Sequence, residues 1–555
     1  MATTERAPRG ARFWAIMLGL LVAFFAAYLE TTVVSTALPT IASALHADEF
    51  IWVGTAYSIA FTALLPLTGG LADAFGRRPV LLGALLVFTL GSALAGAAQT
   101  MDWLVAARTL SGLGAGVIGA TGVIIMADVV PLKERGTFNG LFGLMMCLGG
   151  GVGPLIGGAL ADEGQWRWSF FIVVPLAGLS AGIVLLCFNL PSPEGDIWKK
   201  TKSVDWIGTV IVAGSSVAMI LGLSWGGVQY AWSSAQVLAP LVVGGVGMLA
   251  FFAYEFSSWA TNPLVPIDVL SNRTSVSGYL QTFMLSIPFN ALLEYMPVFY
   301  QACQSASPTA SGVDIFGLTF TVAPLSILTG LSISFAKRYR PQIWLGWAVV
   351  LVGFGLLSSL GADASRAQSI GYPAVAGVGI GLVWSALYFP VLSPLDVALN
   401  ARALSLFGFC RAFSQTWGFA IGGAILQNEL LGRLPPAVLA EYAQSAQIAY
   451  AVIPRIAGLP PDVRGAARAA FADSLAVTWR VMIAVGGAGL AVSVLMGRYE
   501  MQGHVDAKWQ AGAGAGKEEG GGGGVGEGDK DVESEEGDEK VGEGVVGEVT
   551  VVEVA

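Results

Sequence analysis

Apolar runs of about twenty residues recur along almost the whole chain, and a helix crossing the hydrocarbon core of a bilayer needs about 20 such residues. Fourteen runs reach that length: 13–36, 51–71, 80–98, 103–126, 138–161, 168–190, 205–225, 237–256, 277–300, 313–335, 342–361, 370–391, 403–427 and 478–497. In lipid a segment must satisfy its own backbone hydrogen bonds, so runs of this length fold as helices. Composition closes the other routes. Of 555 residues, 54% are hydrophobic and only 12% charged, where soluble chains carry roughly 25% charged residues. Mean hydropathy is +0.68. A cytosolic enzyme, a nucleic-acid binder and a secreted scaffold are excluded. The expected fold class is an all-α, multi-pass integral membrane protein whose partners include the lipid bilayer, with no nucleic acid and no nucleotide.

The acidic balance is a property of the tail. From Lys517 onward there are thirteen acidic residues and three lysines, a net of −10, against −9 for the whole chain; the remainder sums to +1. Four cysteines (Cys147, Cys187, Cys303, Cys410) form no CxxC pair, and two histidines (His46, His504) cannot build a metal site by themselves, so no metal is expected. The first run, Phe13 to Thr36, is too long for a signal-peptide core, so no cleavable leader is expected.

An even number of spans puts both termini on one side, and basic residues choose the side. Loops after even-numbered spans carry Arg77, Arg78, Lys133, Arg135, Lys199, Lys200, Lys202, Arg273, Lys337, Arg338, Arg340 and Arg402, whereas the short loops after odd-numbered spans hold only Arg167 and Arg366. Both termini are therefore expected in the cytoplasm, and the sequon at Asn272 is expected to carry no glycan. The loop 428–478 is expected outside. Within it Val463, Ala467, Phe471 and Leu475 recur every four residues, the pattern of a short interfacial helix that covers the helix ends or acts as a substrate lid. Residues 498–555 are Gly- and Glu-rich and are expected to be a disordered cytoplasmic tail, solubilising or regulatory.

A faint repeat is visible. Thr68-Gly69-Gly70 leads to Arg77-Arg78-Pro79, and Thr329-Gly330 leads to Lys337 through Pro341, about eight spans later. Two six-helix halves with two helices inserted between them produce that offset, and such halves hold substrate at their interface near the midplane. The expected boundaries are a cytoplasmic arm at 1–12, a bundle at 13–190, a cytoplasmic loop at 191–204, two inserted helices at 205–256 and a second bundle at 277–497.

The stretch Gly69 to Arg78 (GGLADAFGRR) is the most informative. Asp73 and Arg77 lie one turn apart at a helix boundary, where a carboxylate and a guanidinium can make a charge-assisted contact. Gly69 and Gly76 allow close approach and a tight turn. The stretch resembles motif A of the major facilitator superfamily, with Ala74 where the family usually carries a basic residue. Leu29 to Ile41 resembles the first-helix motif of the fourteen-span drug:proton antiporters, with Glu30 for the usual Asp. Arg108 to Gly116 resembles motif B, with Ser111 where Gln is frequent; Gly149 to Gly158 (GGGVGPLIGG) resembles motif C; and Trp166 to Phe171 resembles the WRWxF stretch, with Val173 replacing Asn. The resemblance covers nearly all fourteen spans and has the flavour of fungal members, which export toxins and secondary metabolites.

It implies the major facilitator fold, with motif A (Gly69, Asp73, Gly76, Arg77, Arg78) as a cytoplasmic gate and motif C (Gly149, Gly153, Pro154, Gly157, Gly158) as a mark of exchange. Physically, the motif C glycines permit close helix approach in lipid, and Pro154 removes one backbone bond. Glu30 lies inside the first span, where a charge costs about 2.5–3.5 kcal/mol on the lenient insertion scale. A carboxylate caught between that cost and a neighbouring cation can load and release protons; the other reading is a structural polar contact near the outer interface. Arg108 modulates or pairs with Glu30, or forms a purely structural ion pair. Glu294 stands where the family has an aromatic. It is a second protonatable group, a site for a cationic substrate, or a wetted polar residue near the outer surface. Arg411 serves an anionic substrate or pairs structurally. Trp52, Tyr57, Tyr295, Phe299, Trp384, Tyr388 and Trp417 line a cavity or simply pack.

The expected function is export of small amphipathic organic molecules by proton antiport through alternating access, by a monomer in the plasma membrane, with small-molecule substrate and protons as partners, no cofactor and no enzymatic activity. An importer of siderophores or nutrients on the same fold is the alternative; motif C and the first-helix pattern stand against it. A sugar porter is disfavoured by the span count and by Pro191-Ser192-Pro193-Glu194, which lacks a basic continuation. A membrane sensor would need a folded cytoplasmic domain, and the tail is low-complexity.

Overall fold

A computed structural model describes residues 10–45, 51–188, 193, 195–227, 229–442 and 448–499. The N-terminal nine residues, the tail from Glu500, both histidines and most of the Pro191 to Glu194 stretch lie outside the described residues. Among those described there is no β-strand, and each expected span coincides with a helix or a helix pair.

In chain order the first half contains α1 (Ala11–Ala44), α2 (Ile51–Ala63), α3 (Leu65–Phe75), α4 (Arg77–Gly96), α5 (Met101–Val129), α6 (Leu132–Asp162), α7 (Trp168–Phe171) and α8 (Val173–Cys187). The short α9 (Ile197–Lys202) leads to the inserted pair, α10 (Trp206–Trp225) and α11 (Ala235–Glu255). After α12 (Ile267–Leu270), the second half comprises α13 (Arg273–Gln304), α14 (Pro308–Asp314), α15 (Phe316–Ala336), α16 (Arg340–Leu357), α17 (Arg366–Ala386), α18 (Tyr388–Leu392), α19 (Asn400–Arg433), α20 (Pro436–Tyr442), α21 (Ile448–Val452) and α22 (Pro461–Ser493).

Among the described residues, eleven helices are long and apolar enough to cross a membrane, or twelve with α2 and α3 counted as one span bent by 47°. The two expected spans that fall short of that apolarity are α13 and α19, which are 32 and 34 residues long. They carry Gln281, Asn290 and Glu294, and Arg402, Arg411 and Gln415. Polar side chains are tolerated at membrane depth where a helix faces protein rather than lipid, and α13 and α19 pack against each other and against α22. The lipid-facing surface belongs to other helices, where Leu86, Leu90, Leu186, Val243, Leu249 and Phe335 are all exposed.

The loop expected at 428–478 is shorter. α19 runs on to Arg433, and Val463 to Leu475 do not form a separate interfacial helix but the first turns of α22. Ala467, Phe471 and Leu475 are buried there. Their four-residue spacing marks a helix face, and the face is covered by protein: Arg468 donates from Nε to the Cys303 carbonyl at 2.7 Å and from Nη2 to the Ala362 carbonyl at 2.9 Å. The inserted pair sits at the side of the bundle. α10 packs on α2 and α19, one from each half, with Trp52 edge-on to Trp225 at 6.1 Å, and α11 lies mostly exposed outside it.

Candidate functional site

Two contacts close the end of the bundle that bears the basic loops. At one, α3 meets the start of α19: a Cβ on Gly69 would stand 2.8 Å from Ser405 Oγ and 2.9 Å from the Ala401 carbonyl. Gly76 then turns the chain at φ 90°, a region only glycine adopts without strain. That turn points Arg77 back into the bundle. Its Nη1 lies 3.0 Å from Asp73 Oδ1 and its Nε 2.9 Å from Asp128 Oδ2, with a further 2.8 Å bond to the Ala72 carbonyl. Arg402 of α19 approaches Asp73 Oδ2 at 3.7 Å and donates to the Pro263 carbonyl at 3.0 Å. Arg78 turns away and donates to the Leu185 carbonyl at 2.8 Å. The second contact is the counterpart from the repeat: Gly330 of α15 lies so close to Gly136 of α6 that no Cβ fits.

Motif C gives α6 two working faces. Gly149 and Gly153 press on α1, where a Cβ would collide with Tyr28, Leu29 or Thr32, and Thr32 Oγ1 donates to the Gly149 carbonyl at 2.9 Å. Gly151 faces α15, where a Cβ would stand 2.9 Å from the Phe316 ring. Gly157 is buried and Gly158 half-buried, and the helix stays continuous through Pro154. α6 is thus wedged between the two halves.

Glu30 and Arg108 meet inside the first half. Glu30 Oε1 is 2.9 Å from Arg108 Nη1, Ser92 Oγ donates to Glu30 Oε2 at 2.6 Å, and Arg108 Nε donates to the Val53 carbonyl at 3.1 Å. The guanidinium lies 4.1 Å from the centre of the Tyr57 ring, and Tyr57 donates to the Ala27 carbonyl at 3.0 Å. Both charged side chains are fully buried. This polar layer splits the apolar core of the half: Ala26, Ala27, Tyr57, Phe88 and Ala115 belong to one cluster, and Val33, Val53, Ala95, Leu104 and Phe170 to another. The pair therefore joins α1 and α5 rather than facing the space between the halves.

That space is a cavity walled by α1, α2, α3, α5 and α6 from one half and by α17, α18 and α19 from the other. Of the residues singled out in the sequence, Trp384, Tyr388 and Arg411 line it; Phe24, Tyr28, Phe61, Asn139, Phe142, Phe407 and Gln415, which the sequence reading missed, line it too. Tyr57 is instead beneath Arg108, and Trp52 lies against α10. Phe299 is buried beside Tyr300. Trp417 packs edge-on to Phe413 and Phe283. Tyr295 lines a separate recess with Gln427 and Tyr450, donating to the Phe419 carbonyl at 2.6 Å. Glu294, next to it on α13, is exposed and lies within electrostatic reach of the Tyr450 hydroxyl. Among the described residues Arg411 has no ion-pair partner, and its guanidinium sits 3.8 Å from the centre of the Trp384 ring, 4.6 Å from that of Phe407 and 5.6 Å from that of Tyr388. The cavity aromatics were not separable in the sequence because aromatics in lipid also pack and anchor; only an inward position reveals them.

A second group escaped the sequence reading. Asp205, which caps α10 by accepting from Gly208 N at 2.9 Å, and Glu255 at the end of α11 converge on Gly208, and each has one buried oxygen without a hydrogen-bond partner. Among the described residues there is no group of three or more His, Cys, Asp or Glu side chains arranged to hold a metal.

Comparison with known proteins agrees with this architecture. A family model described as Major Facilitator Superfamily matches residues 20–419. The chain is 33% identical over 509 residues to "MFS transporter L2" of a Phoma species, covering 91% of this chain and 85% of that protein. It is 34% identical over 488 residues to "Efflux pump FUS6" of Gibberella fujikuroi, covering 86% and 88%. It is 32% identical over 511 residues to the "Acurin A biosynthesis cluster MFS-type transporter" of Aspergillus aculeatus, covering 90% and 92%. Among solved structures, that of the human organic anion transporter MFSD10 (TETRAN) superposes with a TM-score of 0.53 over 87% of this chain and 100% of that one, at 14% identity. At that identity the likeness shows the fold alone.

Proposed function

The chain belongs to the major facilitator superfamily, and on that premise we propose that it exports small amphipathic organic molecules (toxins, drugs or secondary metabolites) in exchange for protons, by alternating access. It is a multi-pass membrane transporter and not an enzyme. Relatives that match it along most of their length are named efflux pumps. The observation that carries the reading is the aromatic cavity shared by the two halves, with the basic end closed beneath it by the Gly69 and Gly330 contacts. A site walled by both halves opens to one side or the other as they rock.

The Glu30–Arg108 pair supports the proton half of the exchange. Transfer of a proton to Glu30 removes the carboxylate that holds Arg108, and with it the tie between α1 and α5. Both helices wall the cavity, through Tyr28 on α1 and Gly119, Ala120 and Val123 on α5. A proton arriving at a dry site thus alters the shape of the substrate site without touching it. Each unit charge crossing 100 mV is worth about 2.3 kcal/mol, which drives a gradient of less than two decades per proton. The reading includes fourteen spans in two six-helix halves plus the inserted pair, both termini in the cytoplasm, the plasma membrane as location and the monomer as the working unit.

The test is substrate-induced proton flux in proteoliposomes of purified protein under an imposed pH gradient, with Glu30→Gln alongside. The expected result is a compound that moves against protons in the wild type and fails to do so in the variant. Protons travelling with the compound, or compounds equilibrating without them, refute exchange.

A further inference from the structure

Two residues that line the cavity each carry a buried N–H donor without a hydrogen-bond partner. Arg411 on α19 is half-buried, yet its Nε is shielded and without a hydrogen-bond partner. Its backbone bond is a long one, Nη2 to the Trp384 carbonyl at 3.4 Å, and its guanidinium lies 5.6 Å from the centre of the Tyr388 ring. Asn139 on α6 is 1% exposed, and its amide Nδ2 is likewise without a partner. The two belong to opposite halves and line the same cavity.

We propose that this cavity takes organic anions: a flat apolar body carrying a carboxylate, phenolate or enolate, with the anionic oxygen bound by Arg411 and Asn139. The inference rests on the exporter reading and names the substrate class of its site. An orphaned buried donor is destabilising, more so when it is charged, and a ligand that supplies an acceptor would complete these two. Completion here requires acceptors, because both free positions are N–H groups. A guanidinium in a low-dielectric site also requires a counter-charge, and among the described residues no carboxylate supplies one. The rings of Trp384, Phe407 and Tyr388 attract the guanidinium to their faces and hold it in place, while also offering a surface against which a planar ligand stacks. A cationic ligand would meet Arg411 unshielded by any acid. An anion held by both donors ties α6 to α19 across the interface, so binding itself draws the halves together.

The test compares three probes with one aromatic body: 1-pyrenebutyrate, 1-pyrenebutanol and a pyrenebutyl-trimethylammonium. Binding to the full-length purified protein is read from probe fluorescence without any gradient, and export is read separately in proteoliposomes. The expected result is that the anion binds at least tenfold more tightly than the alcohol. Arg411→Gln should remove that preference while leaving the alcohol within about twofold. Arg411→Lys, which keeps the charge but not the planar fork, should retain part of it, and Asn139→Ala should weaken the anion alone. Preference for the alcohol or the cation, equal loss of all three probes in Arg411→Gln with normal folding by gel filtration, or binding of no probe overturns the proposal. Selective anion binding without export refutes the exporter reading and leaves the anion site standing. Proton-coupled export that ignores both charge and Arg411→Gln does the reverse.

Discussion

Replacing Gly69 with alanine should open the basic end of the transporter. The added Cβ would stand 2.9 Å from the carbonyl oxygen of Ala401 and 2.8 Å from Ser405 Oγ. The serine hydroxyl can rotate away, but the carbonyl is backbone at the start of α19 and cannot. Ordinary packing needs about 3.5 Å between such atoms, so α3 and α19 must part by roughly 0.5 Å or more. Overpacking of this kind costs about 1–3 kcal/mol. Because the contact joins the two halves, the cost falls on the closed arrangement and is absent once they separate. The closed-to-open ratio should then drop by about 5- to 150-fold. Gly70, one residue on, is the control: a Cβ there meets only Leu264 Cδ2 at 3.8 Å, so Gly70→Ala should leave the ratio unchanged. The assay is a pulsed-EPR distance distribution between spin labels at Ala74→Cys and Asp396→Cys, in a background without the native cysteines. A longer-distance population should grow in Gly69→Ala and not in Gly70→Ala. Identical distributions for the two variants would refute the idea that the glycine pattern sets the closure.

Two further outcomes follow from the buried contacts. Arg108→Gln leaves the fully buried Glu30 without its counter-charge, and breaking a buried pair costs about 3–5 kcal/mol; the double variant Glu30→Gln with Arg108→Gln should recover much of that loss, as measured by thermal unfolding in detergent, and no recovery would show that the two side chains are not coupled. Gly153→Ala drives a Cβ into Thr32 of α1 whereas Gly150→Ala meets nothing within 4 Å, so the first should lose stability by about 1–3 kcal/mol and the second should hold, on the same unfolding measurement; equal behaviour would mean that α1 and α6 do not pack as described.

The legible part of the site was the part that a one-dimensional pattern encodes. Asp73 and Arg77 are one helical turn apart, so their ion pair is a local consequence of spacing. Glu30 is visible as a lone acid in an apolar run, since the cost of placing it there demands a partner. Its pairing with Arg108, 78 residues away, was one of several options until the packing of α1 against α5 selected it. Arg77 illustrates the same limit: Asp73 was expected, while Asp128 came from the last turn of α5. The stretch from Val463 to Leu475 was legible as an apolar helix face, but what covers that face is not a local property, and the covering turned out to be protein.

Sequence alone determined that this chain is a multi-pass membrane protein and that its long apolar runs are helices. These follow from local physics: backbone groups must be satisfied within each apolar segment, and charges avoid hydrocarbon. Tertiary structure alone decided which aromatics face a cavity, that α13 and α19 can bear polar residues in the interior, and that Arg411 and Asn139 from distant segments confront the same space. Side chains of one type serve lipid anchoring, packing or ligand contact with equal facility, and only the juxtaposition of helices, set by close glycine contacts such as Gly69 with Ala401 and Gly330 with Gly136, assigns each its role.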